Sequence, residues 1–191
     1  MTMPKVHLAS QSPRRLELLA AIGIEPSYGG VNIDEARLPG EAPREMVLRL
    51  AESKALAADL HGNRVIIAAD TAVVLDEAVF GKPSGQGDCI DMLLRLSGRT
   101  HEVLTGVAVR TASGVRTAIS ASQVSFREIS PDEALAYWQS GEPKDKAGAY
   151  AIQGMGGLFV EAMTGSYSGV VGLPIFETGC LLRDAGVRIL N

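Results

Sequence analysis

The sequence predicts an α/β fold with a mixed β-sheet, and three features of the chain support this prediction. Segments with the apolar spacing of helices intermix with short β-branched segments along the whole chain. Two β-rich segments flank the turn ASG at residues 112–114, a hairpin signal that implies antiparallel pairing. Elsewhere helices lie between strands, which implies crossover connections. The 191 residues contain no repeat, low-complexity tract or charged linker, so we expect one domain over residues 1–191.

Caps, stops and periodicity define the elements in the first half of the chain. A short buried strand is expected over residues 5–10. Proline near the first helical position and glycine after the last turn mark two helices, over residues 12–23 and 42–62. The segment RVIIAADTAVVL (64–75) predicts a strand, because two β-branched apolar runs flank its centre. A third helix follows the loop GKPSGQG and covers residues 88–98.

The second half of the chain begins with the predicted hairpin. Its strands cover residues 101–111 and 115–129. A capping box, with serine and glutamate three residues apart, predicts the start of a helix over residues 130–141. We expect a strand over residues 158–163, then the loop TGSYSGVVGLP, and a last helix over residues 175–186.

Composition and charge exclude several classes of protein. With 46% hydrophobic and 21% charged residues, the chain has the balance of a soluble globular protein. No apolar run approaches the roughly 20 residues that span a bilayer, and the N-terminal segment lacks the apolar stretch of a signal peptide. We therefore expect a cytoplasmic protein without a membrane partner. A net charge of −4 argues against a broad nucleic-acid surface. Cys89 and Cys180 lack CxxC spacing and are interpreted as reduced packing residues.

The segment SQSPRR (10–15) concentrates anion-binding groups at the start of a predicted helix. Ser10 and Ser12 supply hydroxyls, Arg14 and Arg15 supply guanidinium groups, and the helix start supplies unpaired N–H groups. Cations in the first turn oppose the helix dipole, which suggests an anionic partner such as phosphate. The alternative is an ordinary capped helix whose arginines face water. The segment is not a P-loop, because no glycine-rich turn followed by Gly-Lys-Ser/Thr occurs.

Two ionisable residues interrupt apolar patterns. Lys54 shares a helical stripe with Val47, Leu50 and Ala57. Its ammonium either reaches toward a bound phosphate or a carboxylate, or snorkels to solvent. Asp70 ends the apolar run VIIAA, where a charge is disfavoured unless it faces a crevice at the end of the strand. Asp70 is the best single candidate for chemistry, and the alternative is a turn or capping aspartate.

Other candidates are loop residues without a distinctive context. Lys82 in GKP, Lys146 in DKAG and Glu35 in NIDEAR are, each taken alone, ordinary loop residues. No histidine has the context of a general base, and the nucleophile elbow GxSxG does not occur. The remaining candidates are an acidic residue that can act as a base, carboxylate oxygens that can bind a metal, and several basic side chains. That combination suits metal-assisted attack of water on a phosphate.

A set of spaced motifs adds a family resemblance. LASQSPRR, IDE, LAESKA, AADTAVVL, GKP, LSGRTHEVLTGVAV and DKAGAYAIQG occur in this order over nearly the whole chain. In these motifs the sequence closely resembles the Maf family of nucleoside triphosphate pyrophosphatases, also called septum formation inhibitor proteins. The resemblance implies an elongated, twisted mixed sheet with helices around a central cleft, like that of inosine triphosphate pyrophosphatases. It also implies cleavage between the α- and β-phosphates, with a divalent cation such as Mg²⁺ or Mn²⁺.

The resemblance also assigns roles to individual residues. Asp70 matches the proposed proton acceptor for the attacking water, and Glu35 matches a second carboxylate, so the two are the expected metal ligands. The positions implied to bind the triphosphate are Ser10, Arg14, Arg15, Lys54 and Lys82.

The resemblance also indicates which nucleobase the substrate carries. SPRR, ADT and AYAIQG look like the dTTP/UTP branch, in which Arg14, Thr71 and Gln153 match the positions that distinguish it from the 7-methyl-GTP branch. Ala151 departs from the glycine that is common in that branch, and its methyl group could narrow the approach to the base. The alternatives are a 7-methyl-GTP pyrophosphatase and a nucleotide-binding regulator of septum formation, which has no evident need for Asp70. A homodimer is the oligomer that base rates favour.

Overall fold

The computed structural model describes residues 4–61 and 64–190, and its strands form one seven-stranded sheet. The strands are β1 (Lys5–Leu8), β2 (Ser27–Tyr28), β3 (Arg64–Leu75), β4 (Ala78–Phe80), β5 (Thr100–Thr111), β6 (Gly114–Phe126) and β7 (Val160–Thr164). The helices are α1 (Pro13–Ala21), α2 (Pro43–Ala57), α3 (Gln86–Leu96), α4 (Pro131–Gln139), α5 (Tyr167–Val171) and α6 (Ile175–Asp184). Short 3₁₀ helices cover Glu142–Asp145, Ala147–Ala149 and Met155–Phe159.

The sheet is mixed, which confirms the predicted fold class. Its strand order is β2-β1-β3-β5-β6-β7, and β4 pairs with β3 outside this path. β1 is parallel to both β2 and β3, whereas β3 with β4 and β6 with β7 are antiparallel. β5 and β6 are neighbours joined by two residues, as the hairpin signal predicts. Across the described residues, each helix is too short or too polar to cross a membrane.

The chain divides into two compact units. The first contains the residues up to Asp70, Thr105–Ser120 and the residues from Gly172 onward. The second contains Thr71–Leu104 and Ala121–Val171. Both units are therefore assembled from segments that are distant in the sequence.

The core of the first unit explains the apolar run of β3. Val65 and Ile67 pack in one cluster with residues of α1 and α6, while Ile66 and Ala68 pack in another with small residues of α2. Successive strand residues point to opposite faces, so both faces of β3 are buried here and the run is continuously apolar. At Gly106 of β5, a Cβ atom would lie 2.4 Å from the carbonyl oxygen of Val47 in α2, so the close approach requires glycine.

The core of the second unit is aromatic. Phe126 packs edge-on against His101 and Tyr150, with ring centroids 4.8 and 4.7 Å away. Tyr137 and Phe159 make a further edge-on pair, and α3 adds leucines and the buried Cys89. Both cysteines are free, as predicted, and burial raises the pKa of Cys89 to about 11. Cys89 is therefore a packing thiol rather than a reactive one.

Most predicted helix boundaries are close to the observed ones. Ser12 is the N-cap residue of α1, and Gly23 adopts a φ of +76° just beyond its last turn, as glycine at such a position should. In the predicted capping box of α4, the Ser130 N–H donates to Glu133 Oε2 and the Glu133 N–H donates to Ser130 Oγ. The predicted end of α2 is wrong, because the helix stops at Ala57; the proposed stop, Gly62, lies outside the described residues.

Three further predictions differ from the structure. Asp70 lies in the interior of β3 rather than at a strand end, because the strand continues to Leu75. The segment TGSYSGVVGLP is not wholly a loop, since it contains α5. β7 begins at Val160, because the preceding Leu158 and Phe159 belong to a 3₁₀ helix.

Candidate active site

The segment SQSPRR forms the turn between β1 and α1 in the first unit. Ser10 is buried, and its hydroxyl oxygen accepts hydrogen bonds from the Ser12 N–H and from Arg15 Nη1, both at 3.2 Å. Arg15 Nε donates to the carbonyl of Gly172 at 2.8 Å. The Ser12 side chain makes no capping bond, so Ser10 satisfies the amide at this helix start. Two hydrogen bonds therefore hold the Arg15 guanidinium, one to the Gly172 carbonyl and one to the Ser10 hydroxyl.

Arg15 lies in a charged environment that includes both predicted carboxylates. Burial, the largest influence, lowers the pKa of Arg15, and the charge of Arg14 acts in the same direction. The carboxylates of Asp70 and Glu35 raise the pKa of Arg15, and so oppose these effects. Since a guanidinium keeps its proton in such settings, Arg15 places a desolvated positive charge near two negative ones. The turn and the carboxylates therefore belong to one electrostatic cluster.

Lys54 of α2 joins the two carboxylates. Its Nζ lies 2.7 Å from Asp70 Oδ1 on β3 and 2.9 Å from Glu35 Oε1 in the loop before α2. The side chains of Lys54 and Asp70 are each 12% exposed, whereas that of Glu35 is 55% exposed. Lys54 therefore does not snorkel to solvent. A charge at this depth requires a partner, and each of the two buried groups is the partner of the other.

The loop that carries Glu35 is held by a second ion pair. Arg49 of α2 contacts Glu41 with both Nε and Nη2, and its Nη2 also donates to the carbonyl of Ala36 at 3.0 Å. Glu41 Oε2, which accepts Arg49 Nη2, also accepts the Leu38 N–H at 3.0 Å. The hydrogen bond from Arg49 is the main reason that the pKa of Glu41 falls to about 2. This pair fixes the backbone beside Glu35.

The remaining predicted site residues lie in the second unit. Thr71 follows Asp70 in β3 and is half-buried. Lys82 is exposed between β4 and α3, next to Gly81, whose carbonyl accepts the Gly148 N–H at 3.0 Å. Gln153 is exposed in a turn between two 3₁₀ helices. The structure thus brings together the six predicted residues of the first unit, while these three belong to the other.

Comparison with known proteins identifies the family. The sequence profile described as Maf-like protein matches residues 5–185, which include parts of both units. The chain belongs to the Maf family. It is 49% identical over 180 residues to a dTTP/UTP pyrophosphatase of Pseudoalteromonas translucida (strain TAC 125), covering 93% of this chain and 95% of the relative.

Two further relatives are equally similar. A dTTP/UTP pyrophosphatase of Hahella chejuensis (strain KCTC 2396) is 49% identical over 186 residues, covering 95% of this chain and 92% of the relative. One of Methylococcus capsulatus (strain ATCC 33009 / NCIMB 11132 / Bath) is 49% identical over 185 residues, covering 96% and 92%. Among solved structures, a nucleoside-triphosphatase / dITP/XTP pyrophosphatase from Mycobacterium abscessus is a weak match, with a TM-score of 0.44 and 14% identity over 95% of each chain.

The candidate site of the first unit offers two carboxylates to a metal. Among the described residues, no group of three or more His, Cys, Asp or Glu side chains is placed to hold an ion. Glu35 and Asp70 nevertheless contact one ammonium nitrogen, so their oxygens converge on a common point. Mg²⁺ is usually bound by one or two carboxylates, with substrate phosphates and water completing its octahedron. The donor set therefore fits such an ion.

Sequence reasoning missed four residues that hold the loops of predicted site residues, two in each unit. Glu41 and Arg49 hold the loop of Glu35, and Tyr137 and Glu142 contact the loop of Gln153. Each of the four contacts a backbone group outside its own helix or turn, or pairs with a residue that does. Local pattern carries no signal for such contacts, because they depend on where the fold places the loop.

Proposed function

We propose that this Maf protein hydrolyses dTTP and UTP to the nucleoside monophosphate and pyrophosphate. The observation that carries the proposal is the pairing of Asp70 with Lys54 beside Glu35 and the turn of Arg15. A carboxylate that can take a proton is here surrounded by groups that bind phosphate. The names of relatives that are 49% identical over most of the chain support the same activity.

In the proposed reaction Asp70 acts as the general base. The oxygen of a water attacks the α-phosphorus, and the bond to the oxygen that bridges the α- and β-phosphates breaks. Pyrophosphate leaves with the electron pair of that bond, and the Asp70 carboxylate takes the proton of the water. Lys54 fixes the position of that carboxylate at 2.7 Å. Arg15 and Arg14 offset the negative charge of the phosphates as the transition state forms.

Glu35 and Asp70 would hold the divalent cation, Mg²⁺ or Mn²⁺. When bound, such an ion neutralises charge on phosphate oxygens and orients them. Glu35 is the more exposed of the two carboxylates, so its side chain can change partners from Lys54 without leaving a buried charge unpaired.

Selection of the base is assigned to Gln153, with Thr71 and Arg14. The edge of uracil or thymine presents an acceptor, a donor and an acceptor, and a glutamine amide can both donate to it and accept from it. Cytosine presents an amino group where uracil has an acceptor, which would leave polar groups unpaired at a cost of about 1 to 3 kcal/mol each. We therefore expect dTTP and UTP to be preferred to CTP and to guanine nucleotides, and modified pyrimidine triphosphates to be accepted.

A substrate panel tests the proposal. The purified protein is incubated with dTTP, UTP, CTP, GTP and 7-methyl-GTP in Mg²⁺ or Mn²⁺, and pyrophosphate and monophosphate are measured. We expect Asp70→Asn to lose at least about a hundredfold in kcat. Asp76→Asn is the matched control, because Asp76 is exposed and pairs with Arg99 in the second unit. A preference for a guanine nucleotide would reject the base assignment, and near-normal turnover of Asp70→Asn would remove that residue from the mechanism.

The setting of the reaction is also a proposal. We expect the protein to act on the nucleotide pool of the cytoplasm, with a triphosphate rather than a nucleic acid as its partner. A homodimer is the assembly expected from base rates. Light scattering coupled to size exclusion measures the mass directly, and the mass of a single 20.1 kDa chain would reject the dimer.

A further inference from the structure

The loop over residues 151–157, which carries Gln153, is held by two side chains of the second unit. The Tyr137 hydroxyl donates to Glu142 Oε1 at 2.6 Å and accepts the Ala151 N–H at 3.1 Å. Glu142 in turn accepts the Gly156 N–H at Oε1 and the Met155 N–H at Oε2, both at 3.0 Å. Three amides of this short loop therefore end on two hydrogen-bonded side chains.

Close packing shows that the loop lies directly on this pair. A Cβ atom at Gly154 would be 2.1 Å from Glu142 Oε2, and one at Gly156 would be 2.6 Å from the Tyr137 hydroxyl oxygen. The Cβ at Gly156 would also lie 2.8 Å from backbone atoms of Ala151, so glycine is required there, whereas a side chain at Gly154 would displace the Glu142 carboxylate. The glycines of QGMGG thus allow the backbone to approach the two polar groups closely enough to bond with them.

The charge state of the pair fixes the direction of its hydrogen bonds. Burial raises the pKa of Glu142. The hydrogen bonds from Tyr137, Gly156 and Met155 lower it by more than burial raises it, so the pKa lies below its ordinary value. Burial and the bond to Glu142 raise the pKa of Tyr137. Glu142 is therefore an ionised acceptor and Tyr137 a protonated donor at neutral pH. Only an ionised carboxylate can accept all three hydrogen bonds without a competing donor.

We propose that Tyr137 and Glu142 are positioning residues for base selection, because they hold the loop in the conformation from which Gln153 meets the nucleobase. The inference rests on the proposed function, in which Gln153 reads the uracil or thymine edge. Gln153 is exposed, so the backbone on either side determines where its amide projects. A hydrogen-bonding group discriminates between bases only when its position is fixed before the ligand arrives, since a mobile amide can adapt to the wrong edge.

Hydrogen exchange tests the structural half of the inference. Tyr137→Phe removes one hydroxyl, and Glu142→Gln replaces one acceptor oxygen by an amino group. We expect the amides of residues 151–157 to exchange at least about tenfold faster in both variants. Glu133→Gln is the matched control, because it removes a carboxylate of the same unit whose bonds go to Arg127 and Ser130. Unchanged exchange in both variants would overturn the inference.

Substrate discrimination tests the functional half. We expect the ratio of kcat/KM for dTTP to that for CTP to fall about tenfold in Tyr137→Phe and Glu142→Gln, through a higher KM for dTTP. The kcat for CTP and the ratio in Glu133→Gln should stay at the wild-type values. If Glu142→Gln fails to fold, Tyr137→Phe alone decides the matter.

The two proposals fail in different ways. A wild-type protein that does not prefer dTTP to CTP would reject the proposed base assignment before any variant is compared. A wild-type preference that persists unchanged in both variants would overturn the positioning role alone. A fall in kcat for dTTP and CTP alike, with the ratio unchanged, would likewise overturn it, because general loosening does not select between bases.

Discussion

Acidification should destabilise this protein through one buried histidine of the second unit. His101 is 2% exposed and packs edge-on against Phe126 and Tyr150. Its Nε2 lies 2.9 Å from the Tyr150 hydroxyl, while its Nδ1 has no hydrogen-bond partner among the described residues. Burial lowers the pKa of His101 from 6.5 to about 4. A proton on this ring would place an uncompensated charge in an aromatic core.

The magnitude follows from the two pKa values of His101. Between pH 6.5 and pH 4 the unfolded chain binds a proton at this residue and the folded chain does not, so stability falls as the pH falls through this window. Well above pH 6.5 His101 is neutral in both states and costs no stability. Well below pH 4 it is protonated in both states, and the loss of stability is complete. At pH 5 the loss is about 2 kcal/mol, and it approaches about 3 kcal/mol near pH 4.

Urea unfolding measures this loss directly. Trp138, the single tryptophan, lies in α4 of the same unit and reports unfolding by fluorescence. The wild type, His101→Gln and the exposed-site control His61→Gln are compared at pH 7.5 and pH 5. Glutamine stays neutral and can still bond to the Tyr150 hydroxyl. We expect the wild type and the control to lose about 2 kcal/mol more than His101→Gln over this interval. Parallel pH dependences of all three proteins would refute the reasoning.

Three further predictions concern charge pairing, close packing and metal. In urea unfolding, Lys54→Met should lower the free energy of unfolding by about 1 to 3 kcal/mol, because Asp70 loses its ammonium partner. Adding Asp70→Asn to this variant should recover part of the loss, because it removes the unpaired charge. Gly106→Ala should lower the free energy of unfolding by about 2 kcal/mol or more in thermal unfolding, because the new Cβ would meet the backbone of α2. The control Gly87→Ala should be neutral or stabilising, because nothing lies within 4 Å of that Cβ position. Chelation of divalent cations should weaken binding of a non-hydrolysable α,β-imido analogue of dTTP to the wild type by at least about tenfold in calorimetry, and equal affinities with and without Mg²⁺ would contradict the metal assignment.

Much of the fold was predictable, because local signals and tertiary packing agree. The strand over residues 64–75 is continuously apolar since both of its faces are buried where it crosses the first unit. The sequence also singled out Asp70 within that run, but placed it at a strand end. The reason for the error is that the partner which makes a mid-strand carboxylate tolerable, Lys54, comes from another element. A pattern within one segment cannot show that partner.

Short elements held by side chains were not predictable. α5 covers five residues of a glycine-containing segment that reads as a loop. Its first turn is held by Ser166, whose hydroxyl oxygen accepts the Gly169 N–H at 3.0 Å, and the Ser166 N–H donates to Ser122 Oγ at 2.9 Å. Ser122 belongs to β6, so this helix forms on a contact made by the fold rather than on helix propensity.

The charges of the first unit bear on how the proposed function would couple nucleotide binding to a metal. Arg14, Arg15 and Lys54 supply three positive charges, and Glu35 and Asp70 supply two negative ones, so the cluster carries one net positive charge. A nucleoside triphosphate carries several negative charges at neutral pH. Arginines alone would bind that anion more strongly, and the two carboxylates weaken such binding unless another cation joins them. In the proposed function, Glu35 and Asp70 would hold a divalent ion, which would offset their repulsion of the phosphates. Nucleotide binding would then depend on metal, while Asp70 serves as the proposed base.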